Sequence, residues 1–109
     1  MRSPDHPILA RPWEYVVADL RYRTGIDGSP SFLDLTLVAD AKRRRLRFVS
    51  PQHLRIEAGF PSPTHGMCIL DVRDRQVEGV TVEVSDFEAG HGAIRFLAGG
   101  VIDLDAEPS

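Results

Sequence analysis

At 109 residues the chain fits one domain, 1–109, and a domain of this size buries roughly two-thirds of its unfolded surface without needing a disulfide or a metal. A single cysteine, Cys68, excludes an intramolecular disulfide, and no apolar run approaches the roughly 20 residues that span a bilayer. The net charge of −3 is unevenly spread: residues 1–60 carry ten Lys/Arg against seven Asp/Glu, and residues 61–109 carry three against nine. Ile8-Leu9-Ala10 is too short for a signal core, so the expected setting is the cytoplasm, with no membrane partner.

Residues 1–12 contain Pro4, Pro7 and Pro12, which interrupt regular pairing, so this segment reads as an arm or covering loop. The first strand is predicted over Trp13–Arg23, with Val16, Ala18, Leu20 and Tyr22 on its drier face. A turn with Gly25, Gly28 and Pro30 leads to SFLDLTLVAD, where Leu33, Leu35, Leu37 and Ala39 alternate with Asp34, Thr36 and Asp40. That alternation is the clearest strand signal in the chain. After a turn at 41–43, Leu46 and Phe48 point inward between Arg45 and Arg47.

Beyond Ser50-Pro51, His53–Phe60 alternates again, with Leu54, Ile56, Ala58 and Phe60 expected inward. MCILDV (67–72) is a continuous apolar run and reads as a central strand buried on both faces. RDRQVEG (73–79) is a polar turn, VTVEVSDF (80–87) a strand, and Glu88–Gly92 a glycine-rich turn. AIRFLA and VIDLDA supply the last two strands around Gly99-Gly100. The sum is an all-β domain of about eight short, mainly antiparallel strands in a sandwich, barrel or strongly curved sheet. At most one or two short helical turns are expected, within Pro51–Leu54 or Asp71–Val77.

The chemistry-bearing residues form no catalytic or cofactor pattern. His65 and Cys68 sit three apart, but zinc wants a second such pair and there is no second cysteine. Cys68 lies in an apolar run where burial makes a thiol inert, and no Gly-x-Ser-x-Gly elbow is present. Gly90-His91-Gly92 and Gly99-Gly100 precede no helix, as a phosphate loop must. Neither an enzymatic activity nor a cofactor is therefore expected. The basic run Lys42-Arg43-Arg44-Arg45-Leu46-Arg47 has two readings: a cationic hairpin for phosphates, or outward arginines that keep a sheet edge from pairing. Binding of an acidic protein partner is a further possibility for it, and Arg73, Asp74, Arg75 and Glu78 read as a salt-bridged turn.

The stretch ILDVRDRQVEGVTVEVSDFE (69–88), followed by a glycine-containing turn and AIRF, resembles small bacterial all-β proteins. Some of these are regarded as immunity proteins of polymorphic toxin systems. The resemblance covers about the C-terminal half and implies a small cytoplasmic domain that neutralises a toxin by covering its active site. It carries over no binding residue. The leading expectation is a non-enzymatic module that binds a protein partner, with Trp13, Tyr15, Arg43, Arg45, Arg47 and Arg55 as the candidate contacts. A nucleic-acid-binding domain using the hairpin 42–47 is the alternative, and a small β-barrel ligand carrier or enzyme is a third reading. Either a monomer or a homodimer is compatible: Trp13, Tyr15 and Val17 form a face that a second copy, or Ile8 and Leu9 of the arm, would cover.

Overall fold

The computed structural model describes residues 4–56, 67–75, 78–86 and 94–105, and these form two four-stranded antiparallel sheets. The first sheet contains β1 (Val16–Arg23), β2 (Phe32–Ala39), β3 (Lys42–Val49) and β8 (Gly100–Asp103), in the order β1-β2-β3-β8. The second contains β4 (Gln52–Ile56), β5 (Met67–Asp71), β6 (Val82–Asp86) and β7 (Ile94–Ala98), in the order β4-β7-β6-β5. The all-β class read from alternation is the class that forms.

The core lies between the sheets. Leu33, Leu35, Leu37, Leu46 and Phe48 of the first sheet pack with Ile69, Val82, Val84, Phe96 and Ala98 of the second, and all are buried. Phe48 and Phe96 meet edge to face across the two layers, with ring centroids 4.9 Å apart. Each such side chain removed from water stabilises the fold by about 1.5–3 kcal/mol. Cys68, Leu70, Val72 and Val80, with Leu97, make a second, smaller cluster.

The two sheets are joined at a corner. Strand β3 turns through Ser50-Pro51 into β4, and β7 turns through Gly99 into β8, so both connections change sheets side by side. Gly99 N–H donates to Val49 O at 2.7 Å, and Ser50, at φ 52, donates its N–H to Ser31 O at 2.8 Å. A Cβ on Gly99 would stand 3.1 Å from Gly79 O, so a side chain there would need the neighbouring backbone to give by a few tenths of an ångström.

The N-terminal arm closes the opposite side. His6 N–H donates to Ile69 O and Asp71 N–H to Pro4 O, both at 2.8 Å, with a bridge between Asp5 and Leu70. The chain then crosses to the first sheet through a 3-10 turn, Pro12–Glu14, and enters β1.

Several expectations need correction. Trp13 lies in that 3-10 turn rather than in β1, because Pro12 at the start of the turn presets a helical φ and Arg11 enters in the left-handed region at φ 53. The pairing of β1 with β2 shifts by one residue between Val17 and Asp19, so Val17 and Leu20 face the core where strict alternation would have used Ala18. MCILDV is an edge strand, not a central one, and it is buried on both faces. Leu54 and Ile56, expected inward, are 38 % and 43 % exposed, because β4 lies at a sheet edge and its pairing is irregular after His53 at φ 56. No helical turn forms at Pro51–Leu54, whereas Arg73–Arg75 is a 3-10 turn within the expected 71–77. Ala58, Phe60, His65, Gln76 and the turn at 88–92 lie outside the described residues. Among the described residues no helix is long and apolar enough to cross a membrane.

Candidate functional site

The outer face of the first sheet is a grid set by strand register. Arg21, Asp34, Arg47 and Ile102 lie in one row across β1, β2, β3 and β8. Asp19, Thr36 and Arg45 form the next row, Val16, Val38 and Arg43 another, and Arg23, Phe32 and Val49 the last. Because β3 alternates, Arg43, Arg45 and Arg47 all project from this face while Leu46 and Phe48 fill the core behind them.

Two of these arginines are held in place. Arg47 donates to Asp34 through Nε at 2.8 Å and Nη2 at 3.0 Å, and its guanidinium lies 4.0 Å above the Phe32 ring. The hydrogen bond to Asp34 raises the Arg47 pKa above its ordinary value. Arg45 donates to Asp105 through its backbone N–H at 2.7 Å and Nε at 2.9 Å. The backbone bond first, then the side-chain bond from Arg45, lowers the Asp105 pKa. By contrast, Arg21, Arg23 and Arg43 make no ion pair with any described residue.

The sequence-level candidates are thus partly gathered and partly dispersed. Arg43, Arg45 and Arg47 share the outer face, and Arg44 points to the inner side, where its Nη2 donates to Asp103. Arg44 Nε is sealed from solvent without an acceptor among the described residues. Arg55 lies on the other sheet, directly opposite Arg95, and does not join this group. Trp13 is half-buried in the 3-10 turn, and Tyr15, at 7 % exposure, belongs to the main core. Tyr15 is therefore no part of an exposed face: Leu9 is buried in the same cluster, and Ile8 and Val17 pack against it.

Arg21, Arg23, Phe32 and Ile102 are contributors that sequence reasoning left out. Their signal was present, since Arg21 and Arg23 alternate in β1, but only the pairing of β1 with β2 puts them beside the arginines of β3. The arginines of the turn after β5 are ion-paired, but to acids of the flanking strands rather than to Asp74 or Glu78: Arg73 Nη2 meets Asp71 at 2.7 Å and Arg75 Nη1 meets Glu83 at 3.1 Å. Among the described residues no group of three His, Cys, Asp or Glu side chains is arranged to hold a metal ion. Comparisons with protein-family models, with curated proteins and with solved structures return no match.

Proposed function

We propose that this chain is a non-enzymatic recognition domain that binds an acidic protein surface through the outer face of its first sheet. One observation carries the reading: the face presents guanidiniums that are already positioned, Arg47 by Asp34 and Phe32 and Arg45 by Asp105, beside the unpaired Arg21, Arg23 and Arg43. Arginines locked before contact lose little side-chain entropy on binding, and arginine is enriched among the residues that dominate interface energetics. The exposed Ile102 adds apolar area at the end of the Arg47 row.

Charge pattern favours a protein over a nucleic acid. Asp34 stands in the Arg47 row and Asp19 and Asp105 beside Arg45, so an evenly spaced phosphate chain crossing the face would meet acids at these two central rows, which an irregular protein surface can avoid. A toxin held by an immunity-type inhibitor is a partner of this kind, and the resemblance of residues 69–88 supports that class. The test is co-purification of the full chain from its native host, with Arg21→Glu/Arg43→Glu and Arg95→Glu variants in parallel. A stoichiometric acidic protein retained by the native chain and by Arg95→Glu, and lost by the double variant, is the expected result. No such partner, or salt-sensitive binding of oligonucleotides instead, overturns the reading.

A further inference from the structure

The edges of the two sheets are finished differently. On the second sheet the arm closes the β5 edge by main-chain bonds at Ile69 and Asp71, and β4, at the other edge, is short and irregularly paired. On the first sheet β8 has four residues, whereas β1 presents eight, and among the described residues β1 forms strand pairs with β2 alone. Past its bulge β1 stands in solvent: Asp19, Arg21, Tyr22 and Arg23 are exposed, Tyr22 by 42 % although its cross-strand neighbour Leu33 is fully buried.

Edges that stay single usually carry charges that repel an incoming strand. The charges of β1 are mixed instead, with Asp19, Arg21 and Arg23 alternating along its outer face. Two copies of one strand that pair antiparallel are related by a two-fold axis normal to the sheet. That axis must pass through a residue position if side chains are to keep their own faces. Through Asp19, Arg21 or Arg23 it would set a charge opposite its own copy, and through Tyr22 it would set Arg21 opposite Arg23. Through Leu20 it sets Asp19 of each copy opposite Arg21 of the other, with Leu20 against Leu20. Only this register opposes unlike charges and no like ones across residues 19–23.

The same register extends a pattern already present in the sheet. Arg21, Asp34 and Arg47 share one row, in which Asp34 accepts two hydrogen bonds from Arg47. Asp19 of a second copy would continue that row with strict alternation of sign. From this complementarity we infer that the chain forms a homodimer by antiparallel pairing of β1 with β1 about Leu20, joining two four-stranded sheets into one of eight strands. The bulge between Val17 and Asp19 ends the regular pairing, which keeps the interface small and the dimer reversible. The dimer sets the two arginine-bearing outer faces side by side on one surface.

The experiment is sedimentation velocity of the full chain alone, from about 10 μM to about 1 mM, where a reversible monomer–dimer equilibrium is expected. Asp19→Arg and Arg21→Asp each set like charges opposite one another at both symmetry-related positions and should weaken the dimer roughly tenfold or more. The exchanged variant Asp19→Arg/Arg21→Asp restores the opposition and should recover the native dissociation constant within about threefold, with amide spectra confirming that each variant is folded. Isotope-filtered NMR of an equal mixture of labelled and unlabelled chain should show contacts between Asp19 of one copy and Arg21 of the other. A monomer at every concentration, a dimer indifferent to the single substitutions, or a folded exchanged variant that stays monomeric overturns the inference. No acidic partner takes part, so failure here is distinct from failure of the recognition function proposed above.

Discussion

Replacing Leu9 by alanine probes whether the arm is part of the folded core or merely lies on it. Leu9 is 4 % exposed and packs in the main cluster with Tyr15 and Met67. Truncating a buried leucine costs about 2–5 kcal/mol, the spread reflecting how far the surroundings collapse into the space. Here collapse is easy, because the arm is tethered to β5 by two backbone hydrogen bonds, each worth about 1 kcal/mol net. The cost should therefore fall at the lower end, about 2–3 kcal/mol, read as a drop in urea midpoint with an unchanged m-value. Native-state hydrogen exchange gives the local counterpart. The His6 and Asp71 amides, which donate to Ile69 O and Pro4 O, should exchange roughly 100-fold faster, the equivalent of about 2.7 kcal/mol. A loss below about 0.5 kcal/mol with both amides still protected would show that the arm contributes nothing to the core, and would refute the reasoning.

Two further perturbations separate local geometry from composition. Gly99→Ala pushes a methyl toward Gly79 O and should cost about 1–3 kcal/mol in urea denaturation, whereas Gly100→Ala, with nothing within 4 Å of the added carbon, should leave the midpoint unchanged or slightly raised. His6 gives a pH dependence of defined sign: its Nδ1 accepts the Ile8 N–H at 3.0 Å, and burial first, then Arg73, lowers its pKa against the opposing pull of Asp71. As pH falls below 6.5 the unfolded chain takes up the proton first, so the stability contributed by neutral His6 is complete above that value and is lost toward the lower folded one. Exchange of the Ile8 amide, corrected for intrinsic rate, should accelerate as pH falls below 6.5, and His6→Gln should abolish that dependence; a flat profile in the native chain would contradict it.

What the sequence disclosed follows from what alternation can encode. SFLDLTLVAD was legible because Leu33, Leu35 and Leu37 fall on one face of a strand with neighbours on both sides, and all three are buried. The bulge after Val17 was not, since one extra residue leaves the same mixture of side chains while reversing which of them face inward. Leu54 and Ile56 alternate as well as any core pair, but whether a face is covered depends on strand order, which no local pattern carries. The candidate face shows the same division. Outward projection of Arg43, Arg45 and Arg47 was readable in β3 itself, whereas their acids come from elsewhere: Asp34 lies 13 residues from Arg47, and Asp105 lies 60 residues from Arg45. Tyr15 was mistaken for an exposed contact because the arm that buries it holds on by main-chain bonds, which proline-rich composition conceals.

The corner at Ser50-Pro51 and Gly99 also sets an order of assembly. The β1-β2-β3 meander is local and has all of its residues once Val49 has been made, but the other edge of β3 must wait for β8, because Leu46 pairs with Asp103. Until then a growing chain carries an open strand edge, the kind of surface that recruits a neighbouring chain into a mispaired sheet. Arg47 of that edge already has Asp34 within the meander, and Arg43, Arg44 and Arg45 are the charges along it whose mutual repulsion guards it during the interval. Asp103 and Asp105 arrive with the closing strand and its following turn, and they neutralise Arg44 and Arg45 only when the rightful partner is in place. The same charges thus serve first as a guard against wrong pairing and then as the lock on the right one.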